Sequence, residues 1–237
     1  MSSEGAKFVI KLPICDITPF TLQDFPNHVA CILWFSGCNM RCIYCYNSEL
    51  VFSKRKNLVL DDITQFLQKR VGIIEGVVLS GGECTLSPKL PEFIKYVREL
   101  GYKVKLDTNG LNPDMLESLI NKSQLNYVAL DYKAPPKKFY AITRTKKFSY
   151  FKRSLKLLCE SNIPFEVRTT VHTDLINEQD IEDILTDLER SNFKGNYYLQ
   201  NFRQSTEIVA PLQDQTRKLD LNLIHFPKSF KMFTRNF

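Results

Sequence analysis

The chain has 237 residues, 43% of them hydrophobic and 24% charged, an ordinary balance for a globular protein whose core needs no disulfide staples. No apolar run approaches the roughly 18–20 residues of a membrane span, and Met1 to Lys7 lack the basic start and apolar stretch of a signal peptide, so a cytoplasmic location is expected. The net charge of +6 reads as mild and spread along the chain, which gives no reason to expect a membrane or direct nucleic-acid partner.

In chain order, short β-rich runs alternate with longer amphipathic segments. The first run, 29–35, is apolar throughout, as a parallel strand buried on both faces should be. Further strands are predicted at 76–79, 103–106, 127–130, 165–169 and 196–199. Between them lie helices at 60–71, 91–100, 113–121, 151–161 and 178–191. Asp61 and Asp62 stand near the start of the first helix, Gly101 follows the second, and Pro113 opens the third. Six strands separated by helices predict a parallel α/β sheet with right-handed crossovers. A twisted open sheet and a partial barrel fit this pattern equally well.

Polar, glycine-rich or cysteine-rich residues follow nearly every predicted strand. Cys38, Cys42 and Cys45 follow the first, Ser80-Gly81-Gly82-Glu83 the second, and Asp107-Thr108-Asn109-Gly110 the third. Asp131 and Lys133 end the fourth, Arg168 to His172 the fifth, and Gln200 and Asn201 the sixth. In parallel α/β folds these C-terminal strand ends share one edge, where ligands bind. Six separate segments therefore converge on one candidate site.

Of the seven cysteines, Cys15, Cys31, Cys84 and Cys159 are scattered singly while three fall within eight residues. Clustering of this kind points to metal or catalysis rather than to a disulfide framework. A structural zinc site wants four ligands, and no second Cys-x-x-Cys completes this one. A four-iron cluster ordinarily takes four cysteines; three leave one iron open to another ligand. Asp107, Asp131 and Lys133 form a mixed-charge set at adjacent strand ends, either a rim salt bridge or part of a binding site.

The spacing of Cys38, Cys42 and Cys45, with aromatic Tyr44 just before the third, resembles the radical S-adenosylmethionine (SAM) superfamily. That resemblance implies a partial (β/α)6 TIM-like barrel, with a [4Fe–4S] cluster on the three cysteines and S-adenosyl-L-methionine on the open iron. It also implies reductive cleavage to a 5′-deoxyadenosyl radical that abstracts a hydrogen atom. In this reading Cys38, Cys42 and Cys45 are both metal ligands and catalytic. Tyr44 lies beside the adenine, Tyr46 belongs to the cofactor-binding set, and Gly81, Gly82 and Glu83 receive the methionine amino group. Lys133 neutralises the methionine carboxylate, which Asp107 and Asp131 orient. Arg168, His172 and Gln200 complete the cofactor-binding set.

The segment Asp16 to Pro26, Leu106 to Gly110, Ala129 to Pro135 and Val167 to Thr170 extend the resemblance over roughly residues 15–205. It is most similar to anaerobic ribonucleoside-triphosphate reductase activating proteins, an oxidoreductase family of glycyl-radical-enzyme activases that work under anaerobic conditions. Such an enzyme takes a hydrogen from a backbone glycine of a partner, and a low-potential donor such as flavodoxin or ferredoxin supplies its electron. Six strands cannot close as tightly as eight, so an open side is expected. The whole chain, 1–237, is expected to form one radical SAM domain, with 206–237 an extension packing on the barrel. Tyr46, where histidine is frequent, and Thr143-Arg144-Thr145, where threonine–glycine is frequent, depart from the pattern. The alternatives are a small-molecule enzyme resembling 7-carboxy-7-deazaguanine synthase and a non-catalytic zinc or interaction module.

Overall fold

Each predicted strand is present in the computed structural model, which describes residues 11–203 and 208–237. They are β2 (Ala30–Phe35), β3 (Gly76–Gly81), β4 (Lys103–Thr108), β5 (Tyr127–Asp131), β6 (Phe165–Val171) and β7 (Asn196–Asn201). Two strands add to the expected six. Ile14–Thr21 (β1) pairs antiparallel with β2, and Lys231–Arg235 (β8) pairs parallel with β7. The sheet runs in the order β1 to β8, parallel from β2 onward, and its edge strands do not pair with each other. The fold is an α/β partial barrel, open between β1 and β8.

The helices are α1 (Ser48–Val51), α2 (Leu60–Lys69), α3 (Leu90–Glu99), α4 (Pro113–Asn121), α5 (Pro136–Thr143), α6 (Phe148–Glu160) and α7 (Glu178–Arg190). Local chemistry sets their ends. Asn177 and Asp180 form a capping box at the start of α7, and Ile181, Ile184, Leu185 and Leu188 make its buried stripe. Alternation along the strands then separates two cores. In β2, Cys31, Leu33 and Phe35 join the large core that also takes in the helices. Ala30 and Ile32 join a small plug inside the barrel with Val78 and Phe25, backed by Trp34 and Tyr127.

The two additional strands are poorly marked in sequence. β1 mixes Asp16, Thr18 and Pro19 with its apolar residues, and β8 carries Lys231 and Arg235 on an exposed edge. What fixes β8 is Phe230, buried beside Phe193 at 5.0 Å and Tyr197 at 6.3 Å between ring centres. Phe230→Ala should cost about 3 kcal/mol and lower Tm by roughly 6–10 °C; thermal unfolding of the cluster-free protein measures it.

Candidate active site

The cysteine loop begins where β2 ends, and its position is fixed by backbone. Parallel pairing of β2 and β3 continues past both strands: Gly82 N donates to Phe35 O at 2.8 Å and Glu83 N to Gly37 O at 2.8 Å. A side chain would not fit here. A Cβ on Gly82 would lie 2.0 Å from Gly37 O, and one on Gly81, whose φ is +121°, would lie 2.4 Å from Phe35 O.

Four other segments hold the loop. Arg41 N donates to Thr143 O at 2.9 Å and Ile43 N to Ile142 O at 3.1 Å, while Val209 N and Ala210 N donate to the carbonyls of Cys45 and Ile43. The Arg41 guanidinium binds the Cys38 and Met40 carbonyls at 2.6 and 2.7 Å. Tyr44 is buried with its hydroxyl on Lys133 O at 3.0 Å. Tyr46 stacks on Phe202 at 5.1 Å and accepts a hydrogen bond from Arg203 N at 2.5 Å.

A cavity of about 300 Å³ opens against this loop. Cys38, Cys42, Cys45, Tyr44, Tyr46, Gly81, Gly82, Asp107, Asp131, Lys133, Arg168 and Gln200 all line it, contributed by six successive strand ends. Glu83 and His172 do not line it. Both Glu83 oxygens are taken within the protein, by Thr85 N and Oγ1 (3.2 and 2.6 Å), Thr108 Oγ1 (2.8 Å) and Asn109 N (2.7 Å). Burial raises its carboxyl above the usual range, and those four donors pull it back. Glu83 thus ties the β3 loop to the β4 loop. His172 is buried against Phe202 and bonds Gln213 O at 3.0 Å, outside the cavity. The Cys84 thiol points to Ser80 O at 3.5 Å and is likewise buried off the wall.

The cavity wall also includes Trp34, which the sequence did not place at the site, and Ser80, Asn109 and Thr170, which it placed at strand ends without a binding role. Strand phase was the available signal, since Trp34 and Ser80 are paired in register and lie two residues on from plug residues Ile32 and Val78. Asn109 Nδ2 contacts Cys38 Sγ at 3.7 Å and Asn39 Oδ1 at 2.8 Å.

Below the loop, charged side chains form a ladder across β4, β5 and β6. Lys105 Nζ lies 2.5 Å from Asp107, and Arg168 bridges Asp107 (3.4 Å) and Asp131 (3.0 Å). Asp131 in turn takes Lys133 Nζ at 3.0 Å, and Glu166 stands 3.9 Å from Arg168. Three cations meet three anions. Burial favours neutral carboxyls, but Arg168 and Lys133 outweigh it at Asp131, which titrates at about 2; Asp107 is also lowered, against burial, by Arg168 and Lys105. Lys133 and Arg168 are raised, their carboxylate partners overcoming desolvation.

A carboxyl that titrates at about 2 folded and near 3.9 unfolded adds stability fully present above about pH 4 and lost as pH falls toward 2. Asp131→Asn should therefore flatten the acid limb of the stability profile. It should also cost about 2–4 kcal/mol at pH 7 by leaving Arg168 and Lys133 underpaired. Urea unfolding at pH 7 and pH 3 tests both. Glu83→Gln should lower Tm even without cluster or ligand, consistent with a role in holding two loops together.

The donor set suits an iron–sulfur cluster. Burial pushes the Cys38 thiol up to about 11 and the Cys42 thiol up to about 12, so iron ligation would displace protons from both. Met40 N (3.4 Å) and Asn109 Nδ2 point at Cys38 Sγ, as N–H donors do toward an anionic sulfur. Among the described residues no three His, Cys, Asp or Glu side chains are gathered for a single metal ion. The Radical SAM superfamily model matches residues 32–190. A Methanocaldococcus jannaschii protein provisionally designated a glycyl-radical enzyme activating enzyme is 30% identical over 89% of this chain and 91% of its own. A 7-carboxy-7-deazaguanine synthase of Haemophilus influenzae is 26% identical over 55% of this chain and 54% of its own. Among solved structures, Streptococcus suis SuiB superposes with a TM-score of 0.63 at 14% identity, over 84% of this chain and 47% of SuiB. AdoMet-bound anSMEcpe gives 0.58 at 18%, over 73% and 53%. The chain spans about half the length of these two structures, which share its fold. The chain belongs to the radical SAM superfamily, and its cofactors are a [4Fe–4S] cluster held by three cysteines and S-adenosylmethionine.

Proposed function

We propose that this chain is a cytoplasmic, single-domain oxidoreductase that activates a glycyl-radical enzyme, with anaerobic ribonucleoside-triphosphate reductase as the target. The observation that carries this reading is the second cavity at the open side of the barrel. It measures about 690 Å³ and meets the cysteine-lined cavity at Asp24, Tyr46, Thr170 and Gln200. Its outer wall is Gln23, Asn201, Arg203, Arg235 and Asn236. Carboxamides offer both donors and acceptors, which suits the backbone of an extended segment around a glycine, where side chains give little to grip. The nearly full-length similarity to the archaeal activating protein supports the same class.

Cys38, Cys42 and Cys45 would hold the cluster. When bound, the cluster and S-adenosylmethionine supply the one-electron chemistry that removes a hydrogen atom. The residues around them bind and orient. Lys133 spends one donor on Asp131 and has others for a carboxylate. Gly81 and Gly82 present bare backbone to the cavity, and Tyr44 and Tyr46 also line it. Asp107 and Arg168 are each held by partners, so they are oriented before any ligand arrives. A small-molecule activity like that of the deazaguanine synthases is the second reading, favoured by the 26% identity of that partial match.

Mixing reduced, cluster-loaded protein with S-adenosylmethionine and the anaerobic reductase should give a glycyl-radical signal by electron paramagnetic resonance. No signal with any glycyl-radical enzyme, alongside turnover of a small molecule, would favour the second reading. Replacing Cys38, Cys42 or Cys45 by Ala should abolish both the brown colour and 5′-deoxyadenosine formation. Lys133→Ala should keep the cluster and weaken S-adenosylmethionine binding about 10- to 100-fold, read by equilibrium binding; unchanged affinity would make Lys133 a structural ion-pair residue.

A further inference from the structure

The positive charge is not spread along the chain, contrary to the reading of its bulk composition. Nine of the 32 Lys and Arg residues lie between Tyr132 and Cys159, a stretch with no Asp or Glu. The remainder, with 23 basic and 26 acidic residues, is net acidic. Six of the nine are paired: Lys133 with Asp131, Lys137 with Asp183, Lys138 with Asp180, Lys152 with Asp187, Arg153 with Asp114 and Glu117, and Lys156 with Glu160. Arg144, Lys146 and Lys147 have no carboxylate partner among the described residues, and all three sit in the turn between α5 and α6.

That turn abuts the cysteine loop. The carbonyls of Ile142 and Thr143 accept from Ile43 N and Arg41 N, so the two bonds straddle Cys42. Arg144 caps α5 at φ +60° and ψ +24°, a left-handed conformation that favours glycine. A cation is placed there despite the backbone's preference. Exposed aromatics interleave with the charges: Tyr140 lies 5.6 Å from Lys146 Nζ and Tyr150 5.4 Å from Lys147 Nζ. On the other flank of the loop, exposed Phe52 stands between Arg41 (5.1 Å) and Lys54 (5.9 Å). Glu49, whose carbonyl accepts from Lys54 N, has its carboxylate occupied by Arg55 at 2.7 Å. Aromatic and guanidinium groups together are the composition of interface centres. None of these residues lines either cavity at the site.

We propose that the α5–α6 turn, flanked by Arg41 and Phe52, is the docking surface for a small acidic flavoprotein that delivers one electron to the centre held by the cysteines. The proposal rests on the cluster assignment and not on the identity of the substrate. The carrier is oxidised by one electron and the cluster reduced by one; no atom is transferred. Charge complementarity selects an acidic partner, and the exposed rings of Tyr140, Tyr150 and Phe52 match the exposed edge of a flavin. A substrate protein must reach the mouth cavity, which this surface does not line.

The test uses the cluster-loaded protein and a bacterial flavodoxin. Binding is measured by calorimetry at low and high salt, and cluster reduction is followed by absorbance with flavodoxin or with dithionite. The variants are Lys146→Glu with Lys147→Glu, and Arg144→Gly, which removes a charge while relaxing the backbone. Each should weaken flavodoxin binding, the double variant by about tenfold or more at low salt, and should shrink the salt dependence. Reduction by flavodoxin should slow while reduction by dithionite is unchanged. Unchanged binding and reduction would overturn the proposal. So would loss of partner activation in the variants with dithionite as reductant, which would make this a substrate-docking face. Equal, equally sensitive binding of an acidic ferredoxin would overturn the flavin assignment, and tighter binding of an oligonucleotide would overturn the protein partner.

Discussion

Two loops of this protein touch backbone to backbone, and the site depends on that contact. The Gly37 carbonyl occupies the place where any side chain on Gly82 would have to go. Because the gap admits no Cβ, the hydrogen bonds of the β2–β3 pair run on into the turns beyond them. The cysteine loop therefore leaves the sheet with a fixed origin. The end of α5 and residues 209–210 then take up its later carbonyl and amide groups, so that Cys42 and Cys45 lie on a bonded segment. A loop satisfied on several sides can present three thiols to one cavity before iron is present.

Electrostatics completes what the backbone begins. A barrel interior could have been filled with apolar side chains, as it is lower down around Phe25, Ile32 and Val78. Beneath the cysteines it instead carries charges of both signs, held close to one another. Burying them costs desolvation that their mutual attraction only partly returns. The layer has a use if a polar, charged ligand must be bound in low dielectric without reorganising its surroundings.

The sequence disclosed the fold through the part of it buried on both faces. The runs at 29–35, 76–79 and 127–130 had no alternative to a covered parallel strand, and five helices showed a single apolar stripe. β1 and β8 were not legible because edge strands face solvent and take polar residues and proline at little cost. The site was legible where spacing carries the chemistry, at Cys38, Cys42 and Cys45, and where strand ends meet one edge. For Glu83, sequence gives the residue's place and not its partners: a carboxylate beside a ligand cavity can still take four hydrogen bonds from its own loops. His172 shows the same limit. The asymmetry of charge was in the sequence throughout, but its importance came from finding which cations had partners.

The ladder beneath the cysteines has a consequence for how this protein can change in descent. Arg168 answers two carboxylates at once, and each of those answers a lysine. A single substitution that removes a charge therefore strands its neighbours, whereas loss of a matched pair leaves the rest in balance. Drift at these positions should be blocked singly and open only in concert, so that Lys105 and Asp107, or Asp131 and Lys133, are exchanged as couples while Arg168 stays put.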